Sequence, residues 1–210
     1  MSNFPAPGVY NIDPVHSNVG FIARHLVASK VRGNFAEFSG VITIGDTPET
    51  SSVHATVQAS SITTNNEMRD GHLKSADFLD LANYPTLELV STKLTPKGDN
   101  YELVANLTVK GITKPVIFTL EFLGEGPSMT PGVNVAGFEA TGEIDRRDFG
   151  VNFEGNLENG SLIVGNKIVL ELAVEASRVP VGAANYAGLA PIGDAPGASA
   201  PGASLVTMGL

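Results

Sequence analysis

Along most of the chain, apolar and polar residues alternate one by one. In SVHATVQAS, Val53, Ala55, Val57 and Ala59 fall on one face, with His54, Thr56 and Gln58 on the other. In YELVANLTV, Tyr101, Leu103, Ala105, Leu107 and Val109 line up, and in PVIFTLEF so do Val116, Phe118, Leu120 and Phe122. The same period groups Ala136, Phe138, Ala140, Gly142 and Ile144, and then Ile168, Leu170, Leu172 and Val174. Successive side chains of a strand point to opposite faces, so this alternation predicts half-buried strands sharing one interior. Turn-forming pairs such as Gly45-Asp46, Gly98-Asp99, Lys110-Gly111, Asn159-Gly160 and Gly165-Asn166 punctuate the pattern. Links this short favour antiparallel neighbours over crossover helices. The expected fold is all-β, an extended antiparallel barrel of about eight strands, since closure removes exposed sheet edges.

Two stretches break the alternation. Residues 69–80, RDGHLKSADFLD, crowd charges among apolar side chains and predict a short helical insert near 66–80. Asn65 or Asn66 can cap it, Ser75 can cap a second turn, and Gly71 weakens its continuity. Met68, Leu73, Phe78 and Leu79 are expected to face the barrel, with Arg69, Asp70, Lys74 and Asp77 in salt bridges. Such an insert serves either as a structural cap or as a lid over a mouth. From residue 179 the text turns to Gly, Ala, Pro and Ser without periodicity, which predicts a disordered tail. The expected organisation is an N-terminal extension over 1–8, a barrel over 9–178 and a tail over 179–210.

The inward faces alternate large with small residues, as in Leu103/Ala105/Leu107 and Phe138/Ala140/Gly142. Either some of the 10 Phe side chains fill the space left by small residues, or a guest does. These faces carry almost no charge, so a guest would be apolar and elongated. At roughly 0.8 kcal/mol per buried methylene, about ten methylenes offer on the order of 8 kcal/mol before ordering costs.

Charge narrows the partners. Lys+Arg 13 against Asp+Glu 22 gives a net charge of -9, which is no footprint for nucleic acid and repels anionic membrane surfaces. The absence of cysteine removes disulfides and thiolate metal sites. No apolar run is long enough to span a bilayer, and MSNFPAPGVY lacks the basic and apolar regions of a leader, so a cytoplasmic location is expected. His16, His25 and His72, with Asp70 or Asp77, show neither HxH nor HExxH spacing, and no metal or other cofactor is expected. Ser17, His16 and Asp13 are close neighbours in one extended segment without a GxSxG elbow, so no catalytic set is assigned. An enzyme using His16 or His72 as acid/base, and a packed structural barrel, remain alternatives.

In combination, DPVHS, ARHLVASKVRGNFAEFSG, RDGHLKSADF, LTVKGITKPV and DRRDFG resemble the YceI-like family of lipid- or polyisoprenoid-binding proteins, over residues 9–178. Ala105 stands where that family often has Gly, and Asn166 where it often has Asp. The resemblance implies a lipocalin-like barrel holding a polyprenyl diphosphate, a quinone-like lipid or another long-chain lipid, without catalysis. Carried onto this chain, it makes Phe21, Phe35, Phe38, Leu73, Phe78, Phe118, Phe138 and Phe149 candidate lining residues. His16, Arg24, His25, Arg69 and Arg146 become candidates for the polar end, where donors and cations suit a diphosphate or carbonyl head. Arg69 could instead be committed to Asp70 or Asp77. Val90, Val104, Ile117 and Val169 lie on the outer faces and leave a homodimer open.

Overall fold

The computed structural model describes residues 4–25, 29–154 and 164–180. Eleven strand segments form one sheet: β1 (Gly8–Ile12), β2 (Asn18–His25), β3 (Ser29–Phe35), β4 (Phe38–Ile44), β5 (Ser52–Gln58), β6 (Ile62–Thr63), β7 (Thr86–Lys97), β8 (Asn100–Val109), β9 (Ile112–Pro127), β10 (Asn134–Asp145) and β11 (Val164–Arg178). Eight of them, in the order β1-β4-β5-β7-β8-β9-β10-β11, close a ring through antiparallel pairing of β11 with β1. The expected antiparallel barrel is therefore present.

The remaining three strands are continuations of bent ones. β1 and β4 pair with each other, and beyond the bends at 13–17 and 36–37 the same two stretches pair again as β2 and β3. β5 continues past a short turn into β6, which pairs with β3. Long β11 serves both halves, meeting β2 through Ala173↔Asn18 and β1 through Ala176↔Ile12. Between β6 and β7 the wall has no pairing. The charged insert occupies the sequence between these two strands.

Alternation sets burial along the best-ordered ladder. On β8 every second residue from Tyr101 to Val109 is buried, and next along the sheet β9 and then β10 bury Val116, Phe118, Ala136, Phe138 and Ala140. The β8–β9 link needs two consecutive left-handed residues, supplied by Lys110 at φ 50° and Gly111 at φ 71°. Ile117, between two buried residues, is exposed as its parity requires.

The insert forms α1 (Glu67–Lys74), followed by turns over 75–79. Asn66 caps it, its side chain accepting from the Arg69 backbone N–H at 3.0 Å. Met68, expected to face the barrel, points to solvent with 88% of its surface exposed. At 3.6 residues per turn Met68 and Leu73 lie on different faces, and Leu73 takes the inner one. The expected salt bridges within the insert are also replaced. Arg69 Nε and Nη2 donate to the Thr64 hydroxyl (2.6 Å) and carbonyl (2.9 Å), while Asp70 accepts from the Thr64 backbone N–H (2.8 Å) and the Thr63 hydroxyl (3.1 Å). Asp77 meets His72 at 2.8 Å. Most of the expected tail, 181–210, and the Asn159-Gly160 turn lie outside the described residues. Among those described, no helix is long and apolar enough to cross a membrane.

Candidate functional site

The inward faces do not meet in the middle. They enclose a cavity of about 290 Å³, close to the lower end of small-molecule pockets, roughly 300 Å³ upward. On β8 its wall runs from Leu103 to Val109, and on β11 from Val164 to Val174, so it follows roughly 20 Å or more of strand. Ala23, Ala55 and Ala140 stand on its wall, where their short side chains take up little of the interior.

One end is closed by the N-terminal segment. Phe4 reaches the cavity wall and packs on Tyr101 with ring centroids 5.3 Å apart. Ala6 N–H donates to Glu125 Oε2 at 2.9 Å, and the fully buried Tyr10 donates to the Ala6 carbonyl at 2.7 Å. Burial, then the nearby Glu125 carboxylate, push the Tyr10 hydroxyl up to about 12.

The other end is covered by the insert. Leu73, Phe78 and Leu79 reach the cavity there, opposite Phe149, Val151 and Val164. Phe78 and Phe153 lie 4.9 Å apart, and the His72 ring meets both edge-on. Lys110 Nζ ties this end together, donating to the Gly150 carbonyl at 3.2 Å and the Ala76 carbonyl at 3.4 Å.

Among the expected lining residues, Phe21, Phe35, Phe38, Leu73, Phe78, Phe138 and Phe149 stand on the wall. Phe118 does not. It is fully buried opposite Gly142 on β10, where an added Cβ would sit 2.7 Å from its ring. The missing side chain at Gly142 gives the Phe118 ring a seat inside the wall, so here a neighbour does fill the space left by a small residue. Phe21 sits over Gly33 in the same manner yet still reaches the cavity.

The five expected polar-end residues do not converge. His16 is an exposed surface residue at the β1–β2 bend, hydrogen-bonded to Asp13 at 2.8 Å, with Glu175 at 3.9 Å. That hydrogen bond raises the His16 pKa. Arg24 is exposed, His25 contacts Ser29, and Arg69 is held by Thr64; none lies on the cavity wall. Arg24 and His25 follow the inward Ala23 toward the rim, where outward parity or the strand end takes their side chains off the wall.

Only Arg146 joins the wall. It opens the 3-10 turn Arg146–Phe149, is 5% exposed, and donates Nη1 to the Val151 carbonyl at 2.6 Å, Nε to Gly165 at 3.2 Å and Nη2 to Val164 at 3.3 Å. Burial lowers its pKa, with the Asp145 charge opposing. Asp145 itself is committed to Arg147, whose hydrogen bond holds that carboxyl at about 2. Among the described residues, the one other ionisable residue along the wall, Glu88, alternates with inward Leu87 and Leu89 and is exposed. Sequence reading missed Phe4, assigned to an extension outside the barrel. An aromatic within the proline-rich FPAPG was its only signal. Lys110 was read as part of a turn.

The family model for the YceI-like domain matches residues 10–176. The chain belongs to the YceI-like family. UPF0312 proteins of Staphylococcus aureus, in strains MSSA476 and MW2, are 36% identical to it over 170 residues, covering 80% of this chain and 96% of theirs. Among solved structures, the YCEI protein of Campylobacter jejuni is similar at TM-score 0.64 and 27% identity, over 75% of this chain and 90% of that one. BcnA of Burkholderia cenocepacia shares the fold at TM-score 0.64 and 20% identity, over 78% and 98%. So does a polyisoprenoid-binding domain from Saccharophagus degradans, implicated in plant cell wall breakdown, at TM-score 0.60 and 11% identity, over 83% and 100%.

Proposed function

We propose that this YceI-like barrel binds an elongated lipid of isoprenoid or quinone-like type along its interior, and carries or stores it without changing it chemically. The observation that carries this reading is the cavity itself, about 290 Å³ and walled by the inward residues of the barrel strands and the insert. A wall this apolar suits a hydrocarbon chain, whose burial would supply most of the affinity. The polyisoprenoid-binding domain from Saccharophagus degradans, built on the same fold, supports the ligand class. The binding role is supported by the position of His16, His25 and His72 away from the wall, where a general acid or base would have to reach its substrate.

Native mass spectrometry of the freshly purified chain, followed by solvent extraction and lipid analysis, tests this. The expected outcome is a discrete adduct that extracts as one lipid class and rebinds on incubation. An apo mass that persists after incubation with polyprenyl lipids would overturn the proposal.

A further inference from the structure

We propose that Asp13, His16 and Glu175 form a surface site for one divalent transition-metal ion, of the zinc type, where the β1–β2 bend meets β11. His16 Nδ1 stands 2.8 Å from Asp13 Oδ2 and 3.9 Å from Glu175 Oε1, and the three donor atoms lie within 4.8 Å of one another. Zinc bonds of about 2.0–2.2 Å place tetrahedral donors roughly 3.3–3.6 Å apart, so small side-chain adjustments bring all three onto one ion. Residue spacing could not show this set, because Glu175 joins the other two from the last strand.

The backbone holds the donors in place. Asp13 N–H donates to the Glu175 carbonyl at 2.9 Å. The Ser17 hydroxyl donates to the same carbonyl at 3.1 Å and accepts from the Glu175 N–H at 3.0 Å. Asp13 Oδ1 accepts from the Val15 N–H at 2.8 Å, which leaves Oδ2 turned to His16. Glu175 lies between cavity-lining Val174 and buried Ala176, so strand parity sends its carboxylate to the outer face. The site is thus outside the cavity and open to ions from solvent, independent of lipid in the interior.

Donor chemistry selects the ion. One imidazole with two carboxylates suits zinc and its transition-metal neighbours and leaves further positions for water, whereas calcium takes six to eight oxygens. Charge agrees, since among the described residues neither carboxylate has a lysine or arginine within ion-pair distance. A dication balances both.

The test uses the tag-free, chelator-treated full chain with zinc chloride, read by titration calorimetry and thermal melts. One zinc ion per chain is expected, with a Tm that rises with the logarithm of free zinc. In folded His16→Ala and in folded Glu175→Gln the affinity is expected to fall at least about tenfold, since loss of even an outer-shell partner costs about 10–100-fold. Calcium is expected to bind the wild-type chain at least about tenfold more weakly than zinc. Absence of saturable zinc binding by the wild-type chain overturns the proposal. Zinc affinity within a few-fold of wild type in either folded variant overturns it too, because the ion then sits elsewhere. Calcium binding as tight as that of zinc overturns the assignment of a transition-metal ion. Should neither variant fold, a crystal structure of the wild-type chain with zinc decides. An anomalous peak held by His16 Nδ1 and both carboxylates supports the site, and a peak elsewhere, or none, overturns it.

Discussion

Single residues divide into those that shape the wall and those that shape the space inside it, and Gly142 and Phe138 separate the two. Gly142 exists to seat Phe118, since a Cβ there would meet the ring at 2.7 Å and the Ile117 carbonyl at 3.2 Å. Gly142→Ala should therefore destabilise the fold by about 1–3 kcal/mol, the usual cost of overpacking, read from urea unfolding, while lipid capacity stays close to normal. Phe138 stands on the wall and packs on Phe122 at 5.6 Å. Phe138→Trp should push bulk into the cavity and reduce lipid uptake in a chain that still folds. Full lipid co-purification with that variant would remove Phe138 from the lining. Tyr10 carries a pH signature. Its folded pKa of about 12 lies above the ordinary tyrosine value of 10.0, so the folded state holds the proton more tightly. The stability this represents is fully present below the unfolded value and is lost as pH rises through the folded one. The window is about pH 10 to 12, and the full loss is about 3 kcal/mol. Tyr10→Phe should flatten this alkaline decline relative to wild type in pH-dependent thermal melts. An unchanged slope would assign the decline to other groups.

At the scale of elements, the unpaired gap between β6 and β7 explains why a barrel of strands contains one charged helix. The insert is fastened to β6 by Asp70, which accepts from Thr64 and Thr63, and to the far rim by Lys110. Asp70→Ala would leave the buried Thr64 hydrogen-bonding groups short of a partner at a cost of about 1–3 kcal/mol. The expected readout is local: faster hydrogen exchange over 66–80 and faster lipid release, with β8–β11 unchanged. Exchange that accelerates uniformly instead would make the insert part of the global fold and not a separable cover. These elements were unequally legible. β8, β9, β10 and β11 showed plainly because alternation over many residues survives averaging. β1 to β6 are short and bent, and nothing local announces that β11 pairs with β1 at one end and β2 at the other. Parity assigned Phe118 its face correctly, yet it cannot tell a ring lining a void from one lodged in the wall. That depends on Gly142 across the ladder. Met68 was misplaced because apolarity outweighed helical phase, and Arg146 was named for the polar end through the family resemblance alone, its burial being a property of the closed barrel.

For the whole molecule, the decisive quantity is the space left at its centre. At about 24 cal/mol per Å³, a dry void of about 290 Å³ forfeits roughly 7 kcal/mol, comparable to the 5–15 kcal/mol by which most domains are stable at all. A guest that fills the void restores those contacts, and since it binds only the folded state, it stabilises by mass action. At about 100 times its Kd this amounts to roughly 2.7 kcal/mol. For a domain of this size each kcal/mol moves Tm by about 2–4 °C, so saturating lipid should raise Tm by about 5–10 °C over the delipidated chain. Scanning calorimetry before extraction, after extraction and after rebinding checks this, and the rise should grow with the logarithm of free lipid. A packed barrel behaves differently: its Tm is indifferent to extraction and to added lipid, because nothing is missing from its centre. The same titration also examines the closure by Phe4. Phe4→Ala should leave the saturated Tm shift nearly intact while speeding lipid exchange, since it opens an end of the cavity without removing the wall.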